Sequence, residues 1–157
     1  MADNRLHLQH GPIDIIALVD STEEIRKRLY SAAQKRFSTV LEELVAEMDL
    51  LKLPWSTDQI TPSGIIAQRM FEAVSDAEVF VSPMAAVAGA VADEMLETML
   101  VEAKIPELCL ENIQRIYVNN GGDIAFWLNA EESFSIGVVD NPEIPDLNSK
   151  VSLAYER

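Results

Sequence analysis

The chain has 157 residues, 48% of them hydrophobic and 24% charged, with 6 glycines and 7 prolines. This is the make-up of one globular domain with its own core, and it excludes disordered and fibrous classes. The formal net charge of −14 gathers after Leu53, where 17 acidic side chains are set against 5 basic ones; such a field repels a phosphodiester backbone, so no nucleic-acid partner is expected.

Arg5–Gln9 alternates polar and apolar residues, and Ile13–Val19 is mostly apolar and β-branched, with His10-Gly11-Pro12 between them. Two strands joined by a tight connection are expected. Ile15-Ile16-Ala17-Leu18-Val19 lacks polar alternation, which predicts a central strand covered on both faces. Ser21-Thr22-Glu23-Glu24 fits a capping box with Ser21 as the cap. Ile25, Leu29, Ala33, Phe37, Leu41, Leu44, Met48 and Leu51 then recur three or four apart, predicting one long amphipathic helix that stops before Pro54.

Thr61-Pro62 and Ser82-Pro83 each place a cap residue before proline, opening one helix through about Val74 and another ending near Glu102. The stretch Met84–Ala92 carries no charge and is rich in small residues, so the third helix is expected to be buried. We read its small side chains as tight packing, with a ligand-facing surface as the alternative. Strands follow at Arg115–Val118, Asp123–Leu128 and Ser133–Val139, with Lys150–Tyr155 as a further edge strand. The expected fold is α+β: a mixed or antiparallel sheet packed against a long amphipathic helix and a buried small-residue helix, in a single domain over residues 1–157.

Cys109 is the only cysteine, so no intrachain disulfide forms, and it reads as a buried, inert thiol. No signal peptide is visible at the N-terminus, and the longest uncharged run, Val79–Ala92, is short of the ~20 residues a bilayer requires. The cytoplasm, without a membrane partner, is the expected setting. His7 and His10 should face opposite sides of their strand, which argues against a shared metal. Tyr117 and Trp127 read either as ring-stacking residues or as core aromatics, and Glu131 and Glu132 as solvated turn residues.

Asn119-Asn120-Gly121-Gly122-Asp123 lies between two apolar strands. One reading is a hairpin turn using residues that tolerate positive φ. The sharper reading is a backbone cradle for a phosphate or ring, with Asp123 as a nearby carboxylate. Gly89 interrupts the small-residue helix, where glycine costs ~1 kcal/mol relative to alanine, and Asp93 ends its uncharged stretch.

The order Gly89-Ala90-Val91-Ala92-Asp93 followed by Ile116–Ile124 with its glycine-glycine-aspartate turn resembles the ApbE superfamily of flavin transferases. There a K-G-x-x-x-D helix precedes such a turn. Phe134-Ser135-Ile136-Gly137-Val138 and Pro142 are similar to that superfamily's next strand and proline. Leu6–Asp14 and Ser82–Asp93 are similar to an uncharacterised ApbE-like branch, over nearly the whole chain. The resemblance implies FAD bound with Mg²⁺ and transfer of FMN to a threonine of a target flavoprotein. It implies Gly89, Asp93, Asn119, Asn120, Gly121, Gly122 and Asp123 as cofactor-binding residues, and no catalytic or metal residue is assigned. Ala88 stands where the superfamily has lysine, and the superfamily's C-terminal metal segment has no counterpart. These departures imply an N-terminal part only, and they support the alternative of a non-catalytic binding or assembly protein. A sheet short of strands would leave an open edge, so a homo-oligomer is expected.

Overall fold

The polar–apolar alternation at the N-terminus folds as a hairpin. In the computed structural model, which describes residues 4–105, 110–138, 143 and 149–154, β1 (Leu6–His10) pairs antiparallel with β2 (Ile13–Asp20). Gly11 turns the chain at φ +57°, and a Cβ there would stand 3.0 Å from Leu41 Cδ2. The positive φ is what favours glycine here, and a side chain would also have to displace the tip of Leu41. β2 also pairs with β3 (Arg115–Asn120), which pairs with β4 (Asp123–Leu128), all antiparallel, in the order β1-β2-β3-β4.

The pleat divides this sheet into two unlike faces. Ile13, Ile15, Ala17 and Val19 of β2 and Ile116 and Val118 of β3 are buried beneath helices. Ile16 and Leu18, pointing the other way, are only half-buried. The expectation that β2 is covered on both faces is therefore corrected: the strand is central, but its helices all lie on one side. Antiparallel sheets allow this because no crossover forces a helix onto the second face. The strand meander also ends sooner than expected. β5 (Ser133–Val138) and β6 (Ser149–Ala154) pair only with each other, and Phe134 leans on Tyr117 at 5.3 Å between ring centroids.

α1 (Glu23–Ala46) buries Ile25, Leu29, Ala33, Phe37, Val40 and Leu44, the stripe its spacing foretells except that Val40 is buried where Leu41 was expected and Leu41 is half-buried. Its cap is Thr22, whose Oγ1 accepts from the Ile25 amide at 3.4 Å. Ser21 instead donates to the Asn112 carbonyl at 2.8 Å, so the capping box is corrected by one residue: a tertiary bond takes the hydroxyl. The helix also stops early, at Ala46. The chain turns at Glu47 and restarts as α2 (Met48–Leu51).

The Glu47 carboxylate explains the next departure. Its two oxygens accept from the Ser63 and Gly64 amides, each at 2.7 Å, and Gly64 caps α3 (Ile65–Val74). Thr61-Pro62 does not open that helix. A carboxylate using both oxygens at a helix N-terminus is a stronger cap than a hydroxyl. Ser82-Pro83 does act as expected, with Pro83 at the start of a 3₁₀ turn (Pro83–Ala86) that runs into α4 (Val87–Ala103). α4 buries Ala90, Val91, Ala92, Met95, Met99 and Ala103, and touches α1, α3, β3 and β4. The α+β class is as expected, but the burial expected of the whole uncharged stretch is corrected: Ala90, Val91 and Ala92 are buried, whereas Met84, Val87, Ala88 and Gly89 are half-buried and Ala85 is exposed. Among the described residues, no helix is long and apolar enough to cross a membrane. Cys109, Val139, Pro142 and Tyr155 lie outside the described residues.

Replacing Glu47 with alanine is expected to cost about 1–2 kcal/mol by chemical denaturation, the usual range for losing a cap. Gly64→Ala should cost a similar amount, because its Cβ would stand 2.7 Å from Glu47 Oε1 and expel the carboxylate. The double variant should be no worse than either single one. Additive losses would show that the two residues act separately.

Candidate functional site

The glycine-glycine turn is a hairpin loop of two residues. Asn120 pairs with Asp123 across it, while Gly121 and Gly122 have φ +64° and +110°. Both central residues at positive φ are what a tight hairpin requires of its sequence. The Gly122 amide is occupied by Asn119 Oδ1 at 2.9 Å. A cradle for phosphate would need that amide free, so Asn119 serves the turn and not a ligand. Asn120 points to the helix face, where it is buried and donates through Nδ2 to the Ala88 carbonyl at 3.1 Å.

Three of the expected residues do come together. Gly89, Asp93 and Asp123 line one recess, beside Arg69, Ala73 and Ala90. Its volume is about 180 Å³. Ligand pockets run ~300–1,000 Å³, so a dinucleotide is too large for it. No group of three or more His, Cys, Asp or Glu residues is placed to hold a metal among the described residues. Asp93 and Asp123 are the two carboxylates that line the recess. Gly89 itself has no atom within 4 Å of where a Cβ would be, which overturns tight packing as the reason for this glycine. Gly121 opens onto a different space on the other flank of α4, and Gly122 onto neither.

The remaining candidates separate in the same way. His7 is on the open face and bonds Asp14 Oδ1 at 2.7 Å, whereas His10 turns toward Phe37 at 6.4 Å between ring centroids. They face opposite sides, as expected. Tyr117 meets Phe134 on the open face while Trp127 packs against the core beneath the helices, so the two rings form no common platform.

Sequence reasoning missed the polar seam between the helices. Glu94, only 7% exposed, accepts from Arg36 Nε at 2.7 Å and lies 3.6 Å from Arg69 Nη2, which also bonds Glu97. Arg36 continues to Glu43 at 2.7 and 2.8 Å. α1, α3 and α4 are thus joined through one buried carboxylate. Arg69 Nε is buried without a hydrogen-bond partner among the described residues. A groove of about 520 Å³ lies over this seam, lined by Lys35, Arg36, Ile65, Glu94 and Val101 among others. Glu43 is held below the usual glutamate range, chiefly by the Arg36 hydrogen bond and less by Thr39, with burial opposing. The only local signal was Glu94 directly after Asp93, which reads as a solvated pair until the second residue is seen to turn inward.

Over residues 1–157 the chain matches the family described as AbpE bacteria. No curated relative matches it. This is a different family from the ApbE flavin transferases, so the resemblance inferred from the glycine-glycine-aspartate turn is corrected. The motif that suggested it is hairpin grammar. FAD, Mg²⁺ and FMN transfer came from that resemblance, and they lose their support with it.

Gly89→Ala is expected to raise stability by about 0.5–1 kcal/mol, since alanine is the better helix former and the space is open. Gly122→Ala should instead lose about 1–3 kcal/mol at its φ of +110°. Thermal melts of the two variants moving in the same direction would contradict this account. The depressed Glu43 carboxyl contributes stability that is present above its unfolded pKa and lost as pH falls through the folded one. The stability gap between the native chain and Glu43→Gln should therefore close on acidification, followed by denaturant titration at a series of pH values.

Proposed function

The chain belongs to the AbpE bacteria family, and on that premise we propose that it is a non-catalytic binding or assembly protein of the cytoplasm that grips a protein partner through an acidic loop tip with an apolar crown. The observation that carries this reading is the exposure of Phe80 (88%), Ile60 (80%) and Val79 (75%). They sit on the two loops flanking α3, which are tied together by the Trp55 amide and the Val81 carbonyl at 2.8 Å. Side-chain bonds from Gln59 to the Pro54 carbonyl (2.8 Å) and from the Ser56 amide to Gln59 (3.2 Å) hold the first loop in shape. A preformed loop carrying an uncovered phenylalanine supplies a binding anchor at little ordering cost.

Charge supports the same reading and selects the partner. Asp58, Asp76 and Glu78 are exposed beside the three apolar residues. Between Lys52 and Lys104 the only basic side chain is Arg69, and it is committed to Glu94 and Glu97. The tip therefore presents carboxylates alone around its crown. Anionic lipid and nucleic acid are repelled by this surface. The fitting partner is a protein with an apolar pocket ringed by lysine or arginine. The lone cysteine, which rules out an intrachain disulfide, is in keeping with a cytoplasmic setting.

A photoreactive benzoylphenylalanine in place of Phe80, used in the native cell, should give one dominant cross-linked adduct. The same group in place of the exposed Ser38 should not. Asp76→Lys with Glu78→Lys should weaken the Phe80 adduct by about tenfold, the effect of a like-charge contact worth about 1.4 kcal/mol. An adduct of twice the chain mass would instead identify a second copy. That result, or indifference to the charge reversal, would overturn the proposal.

A further inference from the structure

A second surface, independent of the loop tip, lies where the sheet ends. β4 pairs with β3 on one side and with nothing on the other among the described residues. The two-residue turn makes Asn120 and Asp123 a hydrogen-bonded pair. Ala125 and Trp127 therefore turn their backbone groups to β3, while Ile124, Phe126 and Leu128 turn theirs outward. Edge strands normally carry a guard, such as a charge, a proline or a bulge. Ile124-Ala125-Phe126-Trp127-Leu128 has no charge and no proline, and its register with β3 runs without a bulge. Phe126 is 37% exposed. The opposite edge, β1, is guarded by His7 and His10, which stand beside the carboxylates of Asp14 and Glu42.

The helix layer above this edge is also apolar and open. α4 touches β3 and β4 alike, and its Glu94, Glu97 and Thr98 face α1 and α3. Leu96 and Leu100 are each two residues from Thr98, so they lie about half a turn round the helix, on the outer flank. Both are half-buried. Asp93 stands at one end of that flank and Lys104 at the other, both exposed. Asp93 shares a recess with Asp123, which fixes how helix and strand are aligned. Three residues along the strand from Asp123 is about 10 Å, or about seven residues of helix. Phe126 thus comes level with the middle of the flank between Asp93 and Lys104.

We propose that β4 is an interface for a second copy of this chain, pairing antiparallel with the partner's β4 about a twofold axis at Phe126. The two four-stranded sheets then become one. Centred there, Phe126 faces the partner's Phe126 and Ile124 faces the partner's Leu128, so every outward position enters a hydrogen-bonded pair. Helices that each straddle β3 and β4 of their own copy come two strand spacings apart, about 9.6 Å. Packed helices lie ~8–10 Å apart, so α4 meets its mate through Leu96 and Leu100. Charge selects the occupant. The chain's −14 opposes self-association in general, but the twofold axis carries Asp93 toward the partner's Lys104 and sets Asp123 opposite the partner's Asn129. Each edge is used once, so the assembly closes at two copies.

The test uses the full chain. Sedimentation should show a concentration-dependent equilibrium between one copy and two. Amide hydrogen exchange on the unaltered chain then locates the contact. The amides of Ile124, Phe126 and Leu128 should exchange about tenfold or more slowly in the dimer than after dilution, and those of His7 and Gln9 on the β1 edge should not change. Phe126→Pro removes the central outward amide and no bond to β3, so it should abolish the dimer. Phe126→Lys leaves the backbone intact and sets two ammonium groups face to face at the axis, and it should weaken the dimer about tenfold or more. A single copy at every concentration, a dimer that leaves the three amides unprotected, protection at His7 and Gln9 instead, or growth into larger species would each overturn the assignment. So would a Phe126→Lys chain that dimerises as the native chain does.

Discussion

The structure depends on how α4 lies on the sheet. Its buried side chains at the N-terminal end are Ala90, Val91 and Ala92, and small residues let a helix settle close over β3 and β4. Met95, Met99 and Ala103 continue the same contact toward its C-terminus. α1 then packs alongside, and its Leu29, Ala33, Phe37 and Val40 complete one continuous core above β2. A large residue at Val91 or Ala92 would lift α4 and open the layer. Spaces remain beside its N-terminal part, at Gly89 on one flank and at Ala88 on the other, and along its seam with α1.

Polar groups set the registers that apolar packing leaves free. Asn120 locks the β3–β4 turn to α4, Glu47 locks the end of α1 to the start of α3, and Glu94 ties α1 and α3 to α4. Each is a side chain meeting groups distant in sequence. A buried ion pair adds little net stability over an apolar pair, yet losing one partner strands a charge. Glu94 therefore specifies an arrangement more than it strengthens one. The same pairing engages Arg69, so the cation of α3 is held by Glu94 and Glu97.

Reading the sequence placed most elements well. The stripe from Ile25 to Leu44, the proline at the start of the α4 segment and the strands on either side of Gly121-Gly122 all follow from period and turn chemistry. Caps were read less well, at Ser21 and at Thr61-Pro62. In both places a partner far along the chain, Asn112 or Glu47, captured the group that local rules had assigned. The two-sided burial of β2 failed for a related reason. An apolar run records that a strand is shielded, and Ile16 and Leu18 are shielded only in part, on the face that carries no helix. The glycine-glycine-aspartate turn misled most, because the residues that make a hairpin tight are also those that let a backbone approach a phosphate.

By itself the sequence determined the α+β class, the amphipathic character of α1, the burial of α4 at Ala90, Val91 and Ala92, and the excess of acidic side chains after Leu53. These depend on neighbours three or four residues apart, or on composition alone. Only the tertiary structure decided what the candidate residues do. It drew Gly89, Asp93 and Asp123 into one small recess, gave Asn119 to its own turn, and aimed Asn120 at α4. Adjacent residues of a strand point to opposite faces, so Asn119 and Asn120 part company although they are neighbours in the chain.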